Sequence, residues 1–262
     1  MAMVSSRLVF LVSICILVSQ AIAQPDFLYH FCLDDKGNYT SNSTCTSHCS
    51  TIFLMAKALT KGDAKPDICR SCLNNATNLL PLLCPNQKEA IGWYDYCMLR
   101  HTIACYATQS VTYLASWEGS PAFFMWNVNN VSANYDQFSQ DLRTLLDSKR
   151  VQAAAGGSLR KFAAGNATAP NNQTLYSLVQ CTPDLSDQDC SDCLAGAMGD
   201  IPNCCDGKQG GRVIRPSCNL RFEVALFYDP TADNASSPSL SPPPPPVPSG
   251  KENIQSSCQE NM

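Results

Sequence analysis

Residues 190–218 read CSDCLAGAMGDIPNCCDGKQGGRVIRPSC and contain the clearest indication of the architecture. Their cysteine spacing, C-x2-C-x11-C-x12-C, recurs in residues 69–97, which read CRSCLNNATNLLPLLCPNQKEAIGWYDYC. Each cysteine of the pattern is displaced by 121 residues (190 − 69), and Pro81 and Pro202 share that displacement. A repeat that keeps its spacing without drift predicts two homologous domains.

Each copy predicts a helix that is followed by a strand. From Cys190 the apolar residues recur at i, i+3, i+4, i+7, i+8 and i+11, which is one face of a helix. Ser186 is the predicted N-cap and Pro202 the predicted stop; in the first copy, Pro81 is the predicted end of the helix. After Cys218 the apolar residues alternate with polar ones as far as Leu226, which predicts a half-buried strand. An upstream amphipathic helix is predicted from Tyr135, Phe138, Leu142, Leu145 and Leu146.

These elements predict the fold class α+β. Each domain is expected to be small and disulfide-stapled, with helices packed on one face of an antiparallel sheet. The chain has 262 residues and a formal net charge of −4, so it offers no clustered positive charge for nucleic acid. Its 16 cysteines indicate an oxidising compartment or a metal.

The N-terminus predicts a secretory signal peptide over residues 1–23. Arg7 is the single charge in the first 25 residues, residues 8–18 are apolar, and Ala21-Ile22-Ala23 has the small-x-small cleavage pattern. We therefore expect a secreted, extracellular protein of the apoplast. No later apolar run approaches the length of about 20 residues that a membrane span needs.

Two further features agree with export. The tail, residues 230–262, is proline-rich and is predicted to be a disordered spacer. Seven N-x-S/T sequons predict N-glycosylation: Asn38, Asn42, Asn75, Asn130, Asn166, Asn172 and Asn234.

The sequence resembles the plant salt-stress/antifungal module, which is also called ginkbilobin-like and carries a C-x8-C-x2-C signature. The second copy has this signature complete as Cys181, Cys190 and Cys193. The segment from Phe31 to Tyr228 is similar to the tandem ectodomain of plant cysteine-rich receptor-like kinases, in which a proline-rich stalk leads to a transmembrane helix and a kinase. The stalk is present here without the later parts. The resemblance implies a secreted cysteine-rich repeat protein or a truncated receptor product.

The resemblance divides the chain into a shortened, degenerate domain at 24–118 and a domain with the complete motif at 119–229. In the first copy, Thr60 stands where the second has Cys181. Phe31-Cys32 aligns with Phe124-Met125, a displacement of 93 (124 − 31), so the first copy is about 28 residues short (121 − 93). We expect the missing stretch to hold one helix and one strand. Residues 43–60 and 101–118 are hypothesised to be aberrant, through exon loss or a faulty gene model.

The resemblance also implies disulfide pairs. They are Cys181 with Cys190, Cys193 with Cys218, Cys72 with Cys97, and Cys32 with Cys84. Cys69 is left without its usual partner. The adjacent Cys204 and Cys205 would form a strained bond, and their pairing stays open. Cys45, Cys49 and Cys105 lie off the repeated framework, and the odd number of mature cysteines makes Cys258 a candidate free thiol.

No metal or cofactor is predicted. The two C-x2-C pairs suggest zinc, but they lie 121 residues apart (190 − 69) inside disulfide frameworks. A thioredoxin-like pair at Cys69 and Cys72 lacks the βαβ context that such a motif needs. An enzyme is not expected, because His30, His48 and His101 all fall in the first copy without a visible catalytic partner.

The resemblance implies a carbohydrate site in the second copy. Ginkbilobin-like lectin domains hold mannose with an asparagine near the N-terminal cysteine, an arginine six residues before the last cysteine and a glutamate five residues after it. The corresponding residues are Arg212 and Glu223, and Asn127 is the candidate for the third position. Alternatively, Arg212 and Glu223 form an ion pair across neighbouring strands. The first copy has Leu33, Ile91 and Thr102 instead, so we expect no sugar binding there.

The predicted function is extracellular recognition in plant stress or defence. The expected partners are a cell-wall or glycan carbohydrate of the mannose type, or receptor-kinase ectodomains, for which this chain would act as a decoy. No nucleic acid and no membrane span are expected. The alternatives are a directly antifungal effector of the apoplast and a non-functional truncated receptor-kinase product.

Overall fold

The computed structural model describes residues 26–33, 52–60, 62, 64–87, 89–105, 121–132, 134–157 and 160–230, with the backbone alone for 52–60 and 101–105. The predicted signal peptide, most of the tail, and the sequons at Asn38, Asn42 and Asn234 lie outside these residues. So do Cys45, Cys49 and Cys258. Within the described ranges, no helix is both long and apolar enough to cross a membrane.

In its described residues, the first domain contains one helix and a four-stranded antiparallel sheet. In chain order the elements are β1 (Phe27–Cys32), β2 (Ile52–Thr60), α1 (Pro66–Leu83), β3 (Glu89–Tyr94) and β4 (Cys97–Cys105). The strand order is β1-β3-β4-β2. The buried face of α1 packs on one side of the sheet through Cys69, Cys72, Leu73, Ala76 and Leu80.

The second domain repeats this plan with more elements. They are β5 (Phe123–Trp126), α2 (Tyr135–Ala154), β6 (Phe162–Ala169), β7 (Gln173–Cys181), α3 (Asp187–Gly199), α4 (Ile201–Cys204), β8 (Gly210–Ile214) and β9 (Cys218–Glu223). The five strands lie in the order β5-β8-β9-β7-β6, and all their pairings are antiparallel. Helices α2 and α3 cover one face of this sheet, with Phe222 and Leu220 of β9 completely buried in the shared core. The predicted α+β class is therefore confirmed.

The predicted helix of the second copy is confirmed in its start and its face, but not in its end. Ser186 Oγ accepts a hydrogen bond from Asp189 N at 3.0 Å, which caps α3. The helix stops at Gly199, and the chain then forms the short helix α4, which contains Pro202 in its first turn. Proline is tolerated there because the first N–H groups of a helix have no partner in it.

Two other predicted ends differ from the structure. Helix α1 runs through Pro81 to Leu83, because a proline in the last turn still has a helical φ. Strand β9 ends at Glu223, and Leu226 is half exposed instead of buried. The predicted upstream helix is α2, on which Tyr135 is exposed and the other four apolar residues are buried.

The first domain is shorter than the second at the predicted place. Only residues 33–51 separate β1 from β2, which is fewer than the 20 residues of α2 alone. Counterparts of α2 and β6 do not occur among the described residues of the first domain. However, residues 52–60 pair with 97–105 along their whole length. Residues 52–60 and 101–105 thus form paired strands. The hypothesis that 43–60 and 101–118 are aberrant stays a prediction, and 43–51 and 106–118 lie outside the described residues.

The strand ladders also correct the alignment of β1 with β5. Cys32 pairs with Ala90, and Trp126 pairs with Gly211, the equivalent of Ala90 at the displacement of 121 (211 − 90). Leu33 N donates to Glu89 O, as Asn127 N donates to Gly210 O. Cys32 therefore corresponds to Trp126 and not to Met125, because matching the two phenylalanines shifted the strand by one residue.

All four disulfides that the resemblance implies are bonded in the structure. They are Cys32–Cys84, Cys72–Cys97, Cys181–Cys190 and Cys193–Cys218. Cys204 is bonded to Cys205, although a bond between neighbours was expected to be strained. Cys69 is disulfide-bonded as well, although Thr60 stands in place of its usual partner.

The two domains pack through the helix-free faces of their sheets. Ile91, Trp93 and Met98 of the first domain form one buried cluster with Ile214 of the second. At the margin of this cluster the Tyr29 ring stacks on Phe123, with centroids 4.8 Å apart. The helices consequently lie on the outside of the pair, and the side chains at the ends of the facing strands meet at the domain boundary.

Candidate functional site

A cavity of about 290 Å³ opens at the domain boundary beside the apolar cluster. The three residues predicted for carbohydrate binding, Asn127, Arg212 and Glu223, all line it. They come from three separate places in the chain: the residue after β5, the middle of β8 and the end of β9. The first domain contributes Asp26, Leu28 and Asp95 to the same lining.

Asn127 is fixed by three hydrogen bonds. Its backbone N–H donates to Gly210 O at 2.9 Å, and its Oδ1 accepts from Asn129 N at 2.9 Å. Its Nδ2 donates to Glu223 Oε2 at 3.2 Å. The backbone bond continues the β5–β8 ladder by one residue, so the end of the strand determines where this amide points.

Glu223 depends on a glycine opposite to it. Gly210 faces Glu223 in the β8–β9 ladder, and a Cβ atom at position 210 would overlap the Glu223 carboxylate. The absence of a side chain allows the carboxylate to lie over β8, toward Asn127. Arg221 Nη2 lies 3.6 Å from Glu223 Oε1 and supplies a partial counter-charge.

Arg212 is held by the first domain. Its Nη1 donates to Asp95 Oδ1 at 2.7 Å, and its Nη2 lies 3.5 Å from the Asp95 carbonyl oxygen. The side chain is 13% exposed. Burial, the largest cause, lowers the pKa of the Arg212 guanidinium below its ordinary value, and Arg221 lowers it too, whereas Asp95 opposes both effects. Asp95 therefore stabilises a charge that burial disfavours.

The alternative ion pair between Arg212 and Glu223 is absent from the described side chains. Arg212 pairs with Asp95, and Glu223 contacts Asn127 and Arg221 instead. Arg212 Nε is buried and has no hydrogen-bond partner among the described residues. Buried donors are normally satisfied, so this enclosed N–H is an unsatisfied donor of a residue that lines the cavity.

The corresponding place in the first domain has different chemistry. Ile91, the equivalent of Arg212, is buried in the interdomain cluster. Glu89 stands where the second domain has Gly210, and it accepts a hydrogen bond from Arg100 Nε at 2.7 Å. A buried ion pair thus occupies this place, and the absence of a sugar site in the first copy stays a prediction. The side chain of Thr102 lies outside the description.

Sequence reasoning missed the acidic partner from the first domain. Asp95 corresponds to Pro216 in the second copy, so the repeat gives no indication of its role. Its only sequence signal is its place two residues before Cys97, the last cysteine of the first repeat. A cluster of His30, Cys32 and Cys84 has metal-like spacing, but the two sulfurs are bonded to each other and are not thiolates.

The fold and this cavity define a class of protein: two related disulfide-stapled α+β domains, packed sheet to sheet, with a polar cavity at their boundary. The chain belongs to the salt stress response/antifungal family, whose pattern matches residues 33–103 and 126–225. The resemblance drawn from the cysteine spacing is therefore confirmed.

Relatives with similar sequences include secreted and receptor-like proteins. Cysteine-rich repeat secretory protein 38 of Arabidopsis thaliana is 35% identical over 224 residues, which are 77% of this chain and 85% of that protein. An antimicrobial ginkbilobin-2-like protein of Castanea crenata is 32% identical, over 80% of this chain and 92% of that protein. Cysteine-rich receptor-like protein kinase 25 of Arabidopsis thaliana is 34% identical, but the chain spans only 38% of its length.

Solved structures show the same fold. The tandem DUF26 ectodomain of the Arabidopsis thaliana cysteine-rich receptor-like protein PDLP5 matches with a TM-score of 0.55 at 20% identity, over 77% of this chain and 100% of that one. The corresponding ectodomain of PDLP8 matches with a TM-score of 0.53 at 19% identity, over 76% and 98%. The paired arrangement of two such domains is thus known from experiment.

Proposed function

We propose that this protein recognises a carbohydrate of the mannose type outside the plant cell, in stress or defence, through the cavity of its second domain. The observation that carries the proposal is the meeting of Asn127, Arg212 and Glu223 on one cavity wall. The strand register supports it, because Asn127 follows the structural equivalent of the N-terminal cysteine.

The side chains suit vicinal hydroxyl groups. The Asn127 amide and the Arg212 guanidinium are donors, and the Glu223 carboxylate accepts; hydrogen bonds from ionised groups are stronger than neutral ones. The volume of about 290 Å³ lies near the lower end of small-ligand sites, which span about 300–1,000 Å³. One sugar unit, such as the end of a glycan, matches this volume better than an extended chain.

Export to the apoplast is part of the proposal. The signal-peptide pattern and the abundance of disulfides support it, and so do the exposed sequons at Asn130, Asn166 and Asn172. Asn75 is half-buried on α1 and accepts a hydrogen bond from the Tyr94 hydroxyl at 3.0 Å. We expect glycans at the three exposed sites.

Calorimetric titration of methyl α-mannopyranoside into the secreted chain tests the site. We expect saturable binding that weakens about tenfold or more in Arg212→Ala and in Glu223→Gln, since each variant removes a charge-assisted hydrogen bond. Arg143→Ala, on the exposed side of α2, is the matched control and should bind like the wild type. No saturable binding by the wild type, or equal binding by all variants, contradicts the proposal.

The likeness to the antimicrobial protein of Castanea crenata favours a second candidate, a directly antifungal effector. A fungal growth-inhibition assay with the purified chain separates the two functions. Inhibition that Arg212→Ala retains supports an effector that acts without the sugar site. Retention and degradation of the chain in the endoplasmic reticulum would indicate the third alternative, a non-functional truncated product.

A further inference from the structure

We infer that Asp95 of the first domain completes the sugar site of the second domain and determines its charge preference, so that the cavity accepts uncharged or amino-bearing glycosides and rejects acidic ones. This inference rests on the proposed function. It adds a specificity-determining residue and the chemical class of the ligand.

The lining of the cavity carries more acidic than basic side chains. Three carboxylates, those of Asp26, Asp95 and Glu223, face two guanidinium groups, those of Arg212 and Arg221. Both guanidiniums already lie near the same acid: Arg212 Nη1 is 2.7 Å and Arg221 Nη1 is 3.8 Å from Asp95 Oδ1. The described lining therefore has one more negative than positive charge, and both of its guanidinium groups already lie near the Asp95 carboxylate.

An acidic sugar meets two obstacles in this cavity. Its carboxylate has to compete with Asp95 for the Arg212 η nitrogens, and it has to approach Glu223, whose nearest cation lies 3.6 Å away. Like charges in a partly buried site repel more strongly than in water. A neutral hydroxyl has neither problem, because it carries no charge and can donate a hydrogen bond to the Glu223 carboxylate.

The first domain supplies this acid through a fixed turn. Asp95 lies between β3 and β4, and its backbone N–H donates to Asp26 O at 2.9 Å. The second domain alone would present Arg212 without this counter-charge. The charge preference is thus a property of the domain pair and not of the second domain.

The experiment compares three methyl glycosides on the full secreted chain by calorimetry: an α-mannopyranoside, a 2-amino-2-deoxyglucopyranoside and a glucuronide. For the wild type we expect the glucuronide to bind at least about tenfold more weakly than the mannoside, and the amino glycoside to bind no more weakly than the mannoside. Raising the salt concentration should reduce the difference in affinity between the mannoside and the glucuronide, because salt screens the repulsion between carboxylates.

Asp95→Asn removes the charge and retains an oxygen that can accept from Arg212 Nη1. We expect the glucuronide to bind this variant within about threefold of the mannoside. The readout is the ratio of the two affinities, so a change in mannoside binding itself does not affect the test. Asp192→Asn is the matched control, because Asp192 is exposed on α3, outside the cavity lining, and accepts a hydrogen bond from Gln188 Nε2 at 2.9 Å. It should keep the wild-type preference.

The outcomes separate this inference from the proposed function. If no glycoside binds saturably, the proposed function and the inference about Asp95 are both contradicted. If the mannoside binds but the wild type takes the glucuronide equally well, or if a folded Asp95→Asn keeps the full preference, the inference is overturned and the proposed function stands. If Asp95→Asn does not fold, the wild-type protein still tests the charge preference: equal binding of the mannoside and the glucuronide at low salt would overturn the inference.

Discussion

Replacing Cys193 and Cys218 together by serine is expected to lower the free energy of unfolding by about 3 kcal/mol. This bridge joins α3 to β9 in the core of the second domain and spans a sequence separation of 25 residues. A disulfide stabilises mainly because it restricts the unfolded chain, and the restriction grows with the length of the closed loop. Urea unfolding of the secreted protein measures the effect.

The double replacement of Cys204 and Cys205 is the matched control. These cysteines are adjacent, with a sequence separation of 1, so their bond closes almost no loop. We expect a loss of about 1 kcal/mol or less, well below that for the long bridge. Similar losses in the two double variants would show that loop closure is not the source of the stabilisation.

Installing a third long bridge in the second domain is expected to raise its stability by about 2 kcal/mol. Trp126 corresponds to Cys32, and Cys205 corresponds to Cys84; in the first domain that pair is bonded with Cα atoms 5.4 Å apart. The variant Trp126→Cys, combined with Cys204→Ser to release Cys205, should form the missing bridge. Trp126 is 56% exposed, so little buried surface is lost.

Non-reducing peptide mapping shows whether the new bridge forms, and urea unfolding measures its effect. Met125→Cys with Cys204→Ser is a stringent control, because successive side chains of a strand point to opposite faces. The neighbouring position should therefore remain unbridged and give no stabilisation. A bridge from position 125 in preference to 126 would contradict the register of β5 against β8.

The local elements of the fold could be predicted from the sequence because the core cysteines keep their spacing. The cap at Ser186 and the buried face of α3 follow from residues that are close in the chain. The one-residue shift between β1 and β5 could not be found in this way. Both are short edge strands with aromatic residues in succession, and only pairing with β3 and β8 determines their register.

The site was predictable in part, and for a similar reason. Arg212 and Glu223 lie at fixed distances from Cys218, so a resemblance to a known motif locates them. Asp95 belongs to the other domain and has no equivalent in the repeat. Its role arises from the packing of two sheet faces, which depends on side chains such as Ile91 and Ile214 that a linear pattern does not relate to each other.

The central claim is that Arg212 takes part directly in recognising a neutral sugar. Nitrogen-15 NMR of the arginine Nε–H groups tests this claim. The Arg212 signal is assigned by its loss in Arg212→Lys. Arg150 is the internal reference, because it pairs with Asp147 away from the cavity lining. We predict that methyl α-mannopyranoside shifts the Arg212 signal with the same midpoint as calorimetric binding and leaves the Arg150 signal in place. Saturable binding without any shift of the Arg212 signal would contradict the account.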